Sequence, residues 1–323
     1  MALLEIEDLC VDFPSQRGVL HAVDHVSLRV DSSEVLAIVG ESGSGKSVAM
    51  MALMGLVAFP GQVRAKTLRF DGQDLLQMDA AQRRRTIGKD LAMIFQDPTT
   101  SLNPCYTVGF QLAETLQLHL GLRRTEAKRR SIELLEQVGI PAPESRLAAY
   151  PHQLSGGMAQ RVMIAMAIAC RPKMLIADEP TTALDVTVQA QILDLLQGLQ
   201  AQTGMAVVII THNMGVVCEL AHRVAVMYAG QIVEQRSAQA LFEAPAHPYT
   251  QALMQAMPQR SDGQTRLQTI PGVVPGLHDR PPACLFEPRC QYAHALCRTQ
   301  VPLWGEHAEG VRCHAPLSAL ITP

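Results

Sequence analysis

Continuously apolar runs alternate with helix-like segments along the chain. The runs cover Val35–Val39, Met174–Ala177 and Ala206–Ile210. Their length and composition are typical of strands that are buried on both faces of a parallel sheet. A helical pattern over Gln189–Gln202 separates the last two runs. Strand, helix and strand in this order predict an α/β fold.

Other regions depart from this pattern. Apolar–polar alternation over Leu3–Phe13 and Val26–Val30 predicts half-exposed strands. Residues 97–171 contain no buried-strand run, so we predict a helical insertion in the α/β core. Prolines become frequent after about Gly230 and the periodicity fades, which predicts a separate, turn-rich C-terminal appendage. The predicted helices of the insertion are Thr107–Leu120, Thr125–Val138 and Met158–Cys170.

The composition is that of a folded protein with few charges. Of the 323 residues, 48% are hydrophobic and 18% are charged, and the formal net charge is −3. This balance excludes a disordered chain and a strongly basic nucleic-acid-binding protein. The longest uncharged run, Ser47–Val63, is interrupted by glycine and proline and is too short to span a bilayer. The N-terminus lacks the basic segment of a signal peptide, so we expect a cytoplasmic protein.

The eight cysteines are distributed unevenly. Four of them lie in the predicted appendage, at Cys284, Cys290, Cys297 and Cys313. A local cysteine cluster in a reducing compartment is more typical of a metal or cluster site than of disulfides. Four thiolates suit zinc or an iron–sulfur cluster, and free thiols are the third alternative. Their spacings are wider than those of the usual paired zinc knuckles.

A glycine-rich segment directly follows the first buried run. The segment matches the phosphate-binding loop pattern G-x-x-x-x-G-K-[ST], with a strand before it and a helix after it. Such a loop directs backbone N–H groups at the β- and γ-phosphates of a nucleotide, while Lys46 binds these phosphates and Ser47 ligates Mg²⁺. A Gly/Ser-rich turn without a ligand would not require the lysine and the hydroxyl. The predicted nucleotide-binding residues are Gly40, Glu41, Ser42, Gly43, Ser44, Gly45, Lys46 and Ser47.

Further motifs follow in an order that resembles the nucleotide-binding subunits of ABC transporters. The resemblance covers residues 1 to about 235 and includes a Q-loop, a signature, a Walker B motif, a D-loop and a switch histidine. The residues that carry these motifs are Gln96, Leu154-Ser155-Gly156-Gly157-Met158, Asp178-Glu179, Thr181–Asp185 and His212.

The resemblance implies an α/β fold of the P-loop NTPase class. It implies an ABC nucleotide-binding domain over residues 1–235, with a RecA-like core, an antiparallel β subdomain and a helical subdomain at about 97–171. A small cysteine-containing C-terminal extension would then occupy residues 236–323.

The resemblance also implies roles for single residues. Asp178 would hold Mg²⁺ together with Ser47 and Gln96, and Glu179 would polarise the attacking water. His212 would contact the γ-phosphate. Phe13 would stack on adenine, although it fits equally well as a core residue of a strand. The candidate catalytic residues are Glu179, His212 and Gln96.

The signature implies a partner. Ser155, Gly156 and Gly157 open a helix, and their N–H groups suit an incoming γ-phosphate. In the family two such domains meet head to tail, and each signature completes the other's ATP site. A second homologous ATPase subunit is therefore expected. Met158 and Asn213 stand where the family usually has Gln and Asp, and we still expect a site that hydrolyses ATP.

Segments outside the predicted ATP site indicate which subgroup of the family the chain resembles. Phe95–Pro104, Ala244–Leu253 and Ile270–Gly276 resemble the oligopeptide/dipeptide/nickel permease group, and the match is closest to the D-type ATPase subunits of dipeptide permeases. This implies import of dipeptides, with oligopeptides, nickel or a heme precursor as alternative cargoes. Import would involve two transmembrane permease subunits, a periplasmic peptide-binding protein and a second, non-identical ATPase.

The same resemblance suggests where the membrane subunits dock. The segment after Gln96 is where the family receives the coupling helices of the permeases, and Leu102, Pro104 and Tyr106 are the candidate contacts. Ordinary loop packing is the alternative for these residues. The expected location is peripheral, at the cytoplasmic face of the bacterial inner membrane.

Related subunits hold a 4Fe-4S cluster with a similar cysteine pattern, so the resemblance favours this cluster over Zn²⁺. A soluble ABC ATPase acting on nucleic acid or ribosomes is the alternative from a different class. Such proteins usually carry two cassettes or large insertions, whereas this chain has one cassette and no net basicity. No nucleic-acid partner is therefore expected.

Overall fold

The computed structural model describes residues 2–182, 184–257, 269–304 and 310–317. The chain divides into two compact units. Unit 1 comprises Met1–Asp31, Val35–Leu76 and Ile210–Pro323, and unit 2 comprises Ser32–Glu34 and Gln77–Ile209. The boundary predicted between residues 235 and 236 does not separate these units and stays a prediction. Of the predicted extension, residues 258–268, 305–309 and 318–323 lie outside the described residues.

The strands and helices are numbered along the chain. The strands are β1 (Ala2–Ser15), β2 (Gly18–Asp31), β3 (Val35–Val39), β4 (Gln62–Arg64), β5 (Thr67–Phe70), β6 (Gln73–Asp74), β7 (Leu91–Ile94), β8 (Met174–Asp178), β9 (Ala206–Thr211), β10 (Arg223–Tyr228), β11 (Gln231–Ser237) and β12 (Gly310–Val311). The helices are α1 (Lys46–Met54), α2 (Ala80–Thr86), α3 (Pro98–Ser101), α4 (Val108–Leu120), α5 (Arg124–Gln137), α6 (Pro143–Arg146), α7 (Gly156–Ile168), α8 (Val186–Thr203), α9 (Met214–Leu220), α10 (Ala238–Glu243), α11 (Pro248–Gln255) and α12 (Ala295–Thr299).

An antiparallel sheet forms the N-terminal part of unit 1. Its order is β2–β1–β5–β6, and β4 also pairs with β1. The alternation in the sequence predicted β1, but β2 is much longer than the predicted Val26–Val30. The register between β1 and β2 shifts near Asp8, which has a φ of 57° and is exposed next to Glu7. This irregularity interrupts the alternation without ending the strand.

The other strands of unit 1 follow the order β12–β11–β10–β3. Strand β3 pairs in parallel with β10, and β11 is antiparallel to both β10 and β12. All five residues of β3 are buried, as its apolar run predicted. Tyr249 and Phe286, from the predicted appendage, lie in the same buried cluster as β3 and β10. The appendage therefore shares a core with these strands.

Unit 2 combines parallel strands with helices. Its strands follow the order β9–β8–β7, and β7 and β8 are parallel. The predicted helices are present with ends shifted by a few residues, and local caps explain these ends. Thr107 accepts a hydrogen bond from the N–H of Phe110 at the start of α4, and Gly121 ends this helix with a φ of 66°. Among the described residues of the whole chain, every helix is too short or too polar to cross a bilayer.

Candidate functional site

The predicted phosphate-binding loop connects β3 to α1 within unit 1. Gly40 and Gly45 have φ values of 153° and 94°. A Cβ atom would lie 2.2 Å from the carbonyl oxygen of Met227 at Gly40, and 2.5 Å from that of Ala22 at Gly45. Since both backbone conformation and space exclude a side chain, these two glycines are required for the path of the loop.

The side chain of Lys46 forms hydrogen bonds with the backbone of this loop. Its side chain is buried, and Nζ donates hydrogen bonds to the carbonyl oxygens of Gly40 (2.8 Å) and Glu41 (2.9 Å). Nζ also lies 3.3 Å from Oγ of Ser44, which is fully buried. The loop thus holds an ammonium group beside the backbone turn, as a phosphate-binding loop does. Ser47 is half-buried in the first turn of α1.

Glu41 contacts the C-terminal segment (residues 236–323) through both its side chain and its backbone N–H. Arg289 donates to both of its carboxylate oxygens, at 2.7 Å and 3.0 Å, and the Glu41 N–H donates to Oη of Tyr249 at 2.8 Å. Sequence reasoning identified Glu41 only as a loop residue and missed Arg289 and Tyr249. No motif signals these contacts, because they join residues more than two hundred positions apart in the chain.

Two other predicted ATP-site residues belong to unit 1. Phe13 is half-buried on β1, and its ring packs against Gly61, where a Cβ would lie 2.7 Å from Cε1. His212 is exposed directly after β9. The neighbouring Asn213 caps α9 by accepting a hydrogen bond of 2.9 Å from the N–H of Gly215. The residue that departs from the family pattern therefore has a local structural role.

The predicted acidic pair belongs to unit 2, at the end of β8. Asp178 is 3% exposed, and Glu179 follows it with a φ of 45°. Oε2 of Glu179 accepts hydrogen bonds from Nε2 of Gln96 (3.0 Å) and from Oγ1 of Thr182 (2.9 Å). Left-handed backbone at a residue other than glycine is strained and is frequent at functional sites. The structure thus brings the predicted Gln96 and Glu179 together and adds Thr182, which sequence reasoning assigned only to the D-loop.

The predicted signature begins α7 in unit 2. Ser155 is the N-cap residue, and its Oγ accepts a hydrogen bond of 3.3 Å from the N–H of Met158. Ser155 and Gly156 are exposed, whereas a Cβ on Gly157 would lie 2.9 Å from Cγ1 of Val188. An exposed helix N-terminus of this kind presents free N–H groups and positive potential to an anion.

Only part of the candidate permease-docking segment is exposed to solvent. Leu102 is 2% exposed, so the expectation that it contacts a docking helix is wrong. Leu102 directly follows the short helix α3, and its N–H donates to the carbonyl oxygen of Pro98 at 3.1 Å. Pro104 and Tyr106 are exposed, and the Tyr106 ring stacks on that of Phe110 at a centroid distance of 4.5 Å.

The four C-terminal cysteines line one small cavity in unit 1. His247, Phe286, Tyr292 and His314 also line it. Burial raises the pKa of Cys284 and of Cys290, and it raises the pKa of Cys313 to about 11. These three thiols are therefore protonated near neutral pH unless a cation displaces their protons. The structure thus brings the four predicted cysteines to the lining of one cavity.

Comparisons with known proteins agree with this arrangement. Residues 23–182 match the family model described as ABC transporter, and residues 233–297 match the model described as oligopeptide/dipeptide transporter, C-terminal region. Among solved structures, the chain resembles a dimeric, post-hydrolysis ATP-binding cassette bound to ADP and Pi, with a TM-score of 0.64 and 26% identity over 73% of this chain and 98% of that one. It also resembles the cbiO1 protein of Clostridium perfringens, part of an ABC transporter complex, with a TM-score of 0.61 and 27% identity over 75% and 91% of the two chains.

These features define an ABC ATPase cassette. Relatives with higher sequence identity narrow this class of protein further. The dipeptide transport ATP-binding proteins DppD of Escherichia coli and of Haemophilus influenzae are each 56% identical to this chain, over 98% of it and over 98% and 97% of their own lengths. A putative peptide import ATP-binding protein of Brucella abortus is 48% identical over 93% of this chain and 92% of its own length. The chain belongs to the ABC transporter ATP-binding proteins of the oligopeptide/dipeptide group.

Proposed function

We propose that this chain is the ATP-hydrolysing subunit that energises a membrane importer of dipeptides. The observation that carries the proposal is the extent of the similarity to dipeptide transport ATP-binding proteins. It covers 98% of both chains and includes the cysteine-bearing C-terminal segment as well as the nucleotide-binding motifs. Oligopeptides, nickel and a heme precursor are the alternative cargoes, because the subunits that select cargo are separate proteins.

ATP binding and hydrolysis are assigned to the predicted residues. The loop from Gly40 to Ser47 binds the phosphates, with Lys46 as their cation and Phe13 stacking on adenine. Asp178, Ser47 and Gln96 offer carboxylate, hydroxyl and carboxamide oxygens, which are the hard ligands that Mg²⁺ prefers. Bound Mg²⁺ would neutralise charge on the phosphates.

The hydrolytic step is assigned to three side chains. Glu179 orients and polarises the attacking water, Gln96 orients Glu179 and the water, and His212 contacts the γ-phosphate. The hydrogen bond from Gln96 to Glu179 supports this assignment, since it fixes the direction of the carboxylate.

A second, non-identical ATPase is the proposed partner in a head-to-tail pair. The exposed N-terminus of α7 supports this arrangement, because Ser155, Gly156 and Gly157 would bind the γ-phosphate in the partner's site. Two permease subunits complete the complex, and a periplasmic peptide-binding protein delivers the cargo to them. Exposed Pro104, Tyr106 and Phe110 are the proposed contacts for the permeases, and the chain is then peripheral at the cytoplasmic face of the inner membrane.

The four cysteines are proposed to hold a 4Fe-4S cluster, with Zn²⁺ as the alternative. Their place around one cavity supports a metal centre at this position. Such a centre would connect the turn-rich C-terminal segment at four points and stabilise it. Anaerobically purified protein should be brown and absorb near 400 nm, and Cys290→Ser should remove this absorbance while Cys105→Ser, at an exposed cysteine outside the cavity, retains it. A colourless protein with one zinc per chain would overturn the cluster.

The importer function is tested by reconstitution. The chain, its partner ATPase and the two permeases are placed in liposomes, with the binding protein and a labelled dipeptide outside and ATP inside. Uptake should depend on ATP, and Glu179→Gln should abolish hydrolysis and uptake while ATP binding persists. Glu144→Gln, at an exposed acid on α6, is the matched control and should retain both activities. Undiminished hydrolysis by Glu179→Gln contradicts the assigned base, and uptake of nickel instead of dipeptide contradicts the cargo.

A further inference from the structure

Arg289 lies in the C-terminal segment of unit 1, and all three nitrogens of its guanidinium donate hydrogen bonds. Its side chain is only 4% exposed. Nε donates to the carbonyl oxygen of Pro271 at 2.8 Å, while Nη1 and Nη2 donate to the two carboxylate oxygens of Glu41 at 2.7 Å and 3.0 Å. Parallel bonds between a guanidinium and a carboxylate fix both orientation and distance. Arg289 therefore holds Glu41 in one geometry.

Glu41 is the second residue of the phosphate-binding loop, and the same segment also holds its backbone. Its N–H donates to Oη of Tyr249 at 2.8 Å, and its carbonyl oxygen accepts from Nζ of Lys46 at 2.9 Å. A continuous set of hydrogen bonds thus runs from Arg289 through Glu41 to the phosphate-binding lysine.

Arg289 lies against a group of packed aromatic rings. Its guanidinium carbon lies 5.8 Å from the ring centroid of Tyr228, within the range of a cation–π contact. Tyr228 in turn packs on Tyr249 and Phe286, with centroid distances of 4.7 Å and 5.2 Å. Burial lowers the pKa of Arg289, but hydrogen bonds to Glu41 and Tyr228 outweigh burial and raise it, so the guanidinium stays charged. Removing either partner would leave the other charge poorly compensated.

We infer that Arg289 is a positioning residue for nucleotide binding. It holds Glu41 of the phosphate-binding loop, and the C-terminal segment thereby clamps this loop. The clamp has two effects. It holds the loop in its phosphate-binding shape before the nucleotide arrives, which reduces the entropy lost on binding. It also neutralises a carboxylate on a loop that receives a polyanion. The inference rests on the proposed nucleotide site.

The test compares nucleotide affinity and loop protection in matched variants of the full chain. A fluorescent ATP analogue with Mg²⁺ gives the dissociation constant, and hydrogen exchange reports on the amides of residues 40–47. Arg289→Ala should raise the dissociation constant about tenfold and accelerate exchange in the loop. Arg289→Lys keeps the charge but loses the paired geometry, so its values should fall between those of wild type and Arg289→Ala.

The control is Arg298→Ala in the same segment. Arg298 pairs with Glu287 of its own segment at 2.8 Å, and its side chain is 71% exposed. Its removal should leave affinity and loop exchange unchanged, because exposed pairs contribute little.

Glu41→Gln tests the same contact from the loop side, so the inference can be judged even if Arg289→Ala fails to fold. It should accelerate exchange in the loop and weaken nucleotide binding less than Arg289→Ala does, because it removes the paired contact and the carboxylate charge together. The double variant should bind no more weakly than Arg289→Ala, because both changes remove one interaction. Folded Arg289→Ala or Glu41→Gln with wild-type affinity and loop exchange would overturn the inference alone. A wild-type chain without ATP binding would overturn the proposed function as well, and Lys46→Ala supplies the non-binding reference.

Discussion

The side-chain amide of Gln96 donates a hydrogen bond of 3.0 Å to Oε2 of Glu179. Gln96 lies just after β7, and the chain continues into α3 and the exposed Pro104 and Tyr106. One contact therefore joins the candidate catalytic carboxylate to the segment proposed to meet the permeases. A movement of that segment would reach the carboxylate through a single side chain, which offers a physical route for coupling transport to hydrolysis.

Gln96→Ala should lower kcat for ATP about 10- to 100-fold, because a reacting group that loses its orientation loses rate on this scale. Nucleotide affinity should change less than kcat, since the phosphate-binding loop and the other two proposed Mg²⁺ ligands, Asp178 and Ser47, are untouched. Steady-state hydrolysis in the reconstituted complex and ATP binding to the isolated chain measure the two quantities. A larger loss of affinity than of kcat would show that Gln96 acts in binding.

Thr182 provides an independent test of the same orientation. Its Oγ1 donates to Oε2 of Glu179 at 2.9 Å. Thr182→Val preserves the shape and removes the donor, so it should lower kcat, whereas Thr182→Ser keeps the hydroxyl and should stay near wild type. Equal activity of the two variants would mean that this hydrogen bond does not matter.

The buried strands and the motifs could be predicted because their signals are local. Five successive apolar residues indicate β3, and the glycines of the following loop are required by backbone geometry at Gly40 and Gly45. Helix ends were also predictable to within a few residues, because capping residues such as Thr107 and Gly121 act over one turn.

Contacts between distant residues could not be predicted in this way. The pairing of Arg289 with Glu41 depends on how the chain folds back, and neither residue carries a pattern that identifies its partner. The short strand β12 could not be predicted for the same reason. It has only two residues, and it is a strand because it pairs with β11, which is distant in the sequence. Leu102 was mistaken for a surface contact because an apolar residue in a loop has no local sign of burial.

Gly157 and Gly156 should respond differently to alanine. A Cβ at Gly157 would lie 2.9 Å from Cγ1 of Val188, whereas at Gly156 the nearest atom, Cδ2 of Leu184, is 3.7 Å away. Gly157→Ala should therefore destabilise the chain by about 1–3 kcal/mol through overpacking. Gly156→Ala is the control and should be neutral or stabilising, because alanine is the better helix former. Thermal unfolding of both variants decides the matter, and equal melting temperatures would contradict it.

Asn213→Ala should cost about 1 kcal/mol, because Asn213 caps α9 through its bond of 2.9 Å to the N–H of Gly215. Asn213→Asp restores the residue that the family usually has and also caps well, so its stability should match the wild type. Urea unfolding measures both values. A stable Asn213→Ala would show that the cap contributes nothing here.

Asp12 should make stability depend on pH in the acid range. Its side chain is 6% exposed and contacts His21 at 2.7 Å and the guanidinium of Arg64. Burial raises the pKa of Asp12, but the hydrogen bonds from Arg64 and His21 outweigh burial and hold it below the ordinary value of 3.8. Because the folded pKa is the lower one, the contribution to stability is present above about pH 4. It is lost as the pH falls through the folded pKa.

Asp12→Asn should accordingly reduce the free energy of unfolding by about 1 kcal/mol near neutral pH, since Arg64 is largely exposed and its pairing is screened by solvent. The difference from wild type should shrink towards zero as the pH approaches about 2. Urea unfolding between these limits measures it. Asp31→Asn, which removes a half-exposed acid paired with Arg29 on β2, is the matched control for loss of one negative charge. A difference that stays constant down to the lowest pH would mean that Asp12 acts through packing rather than through its charge.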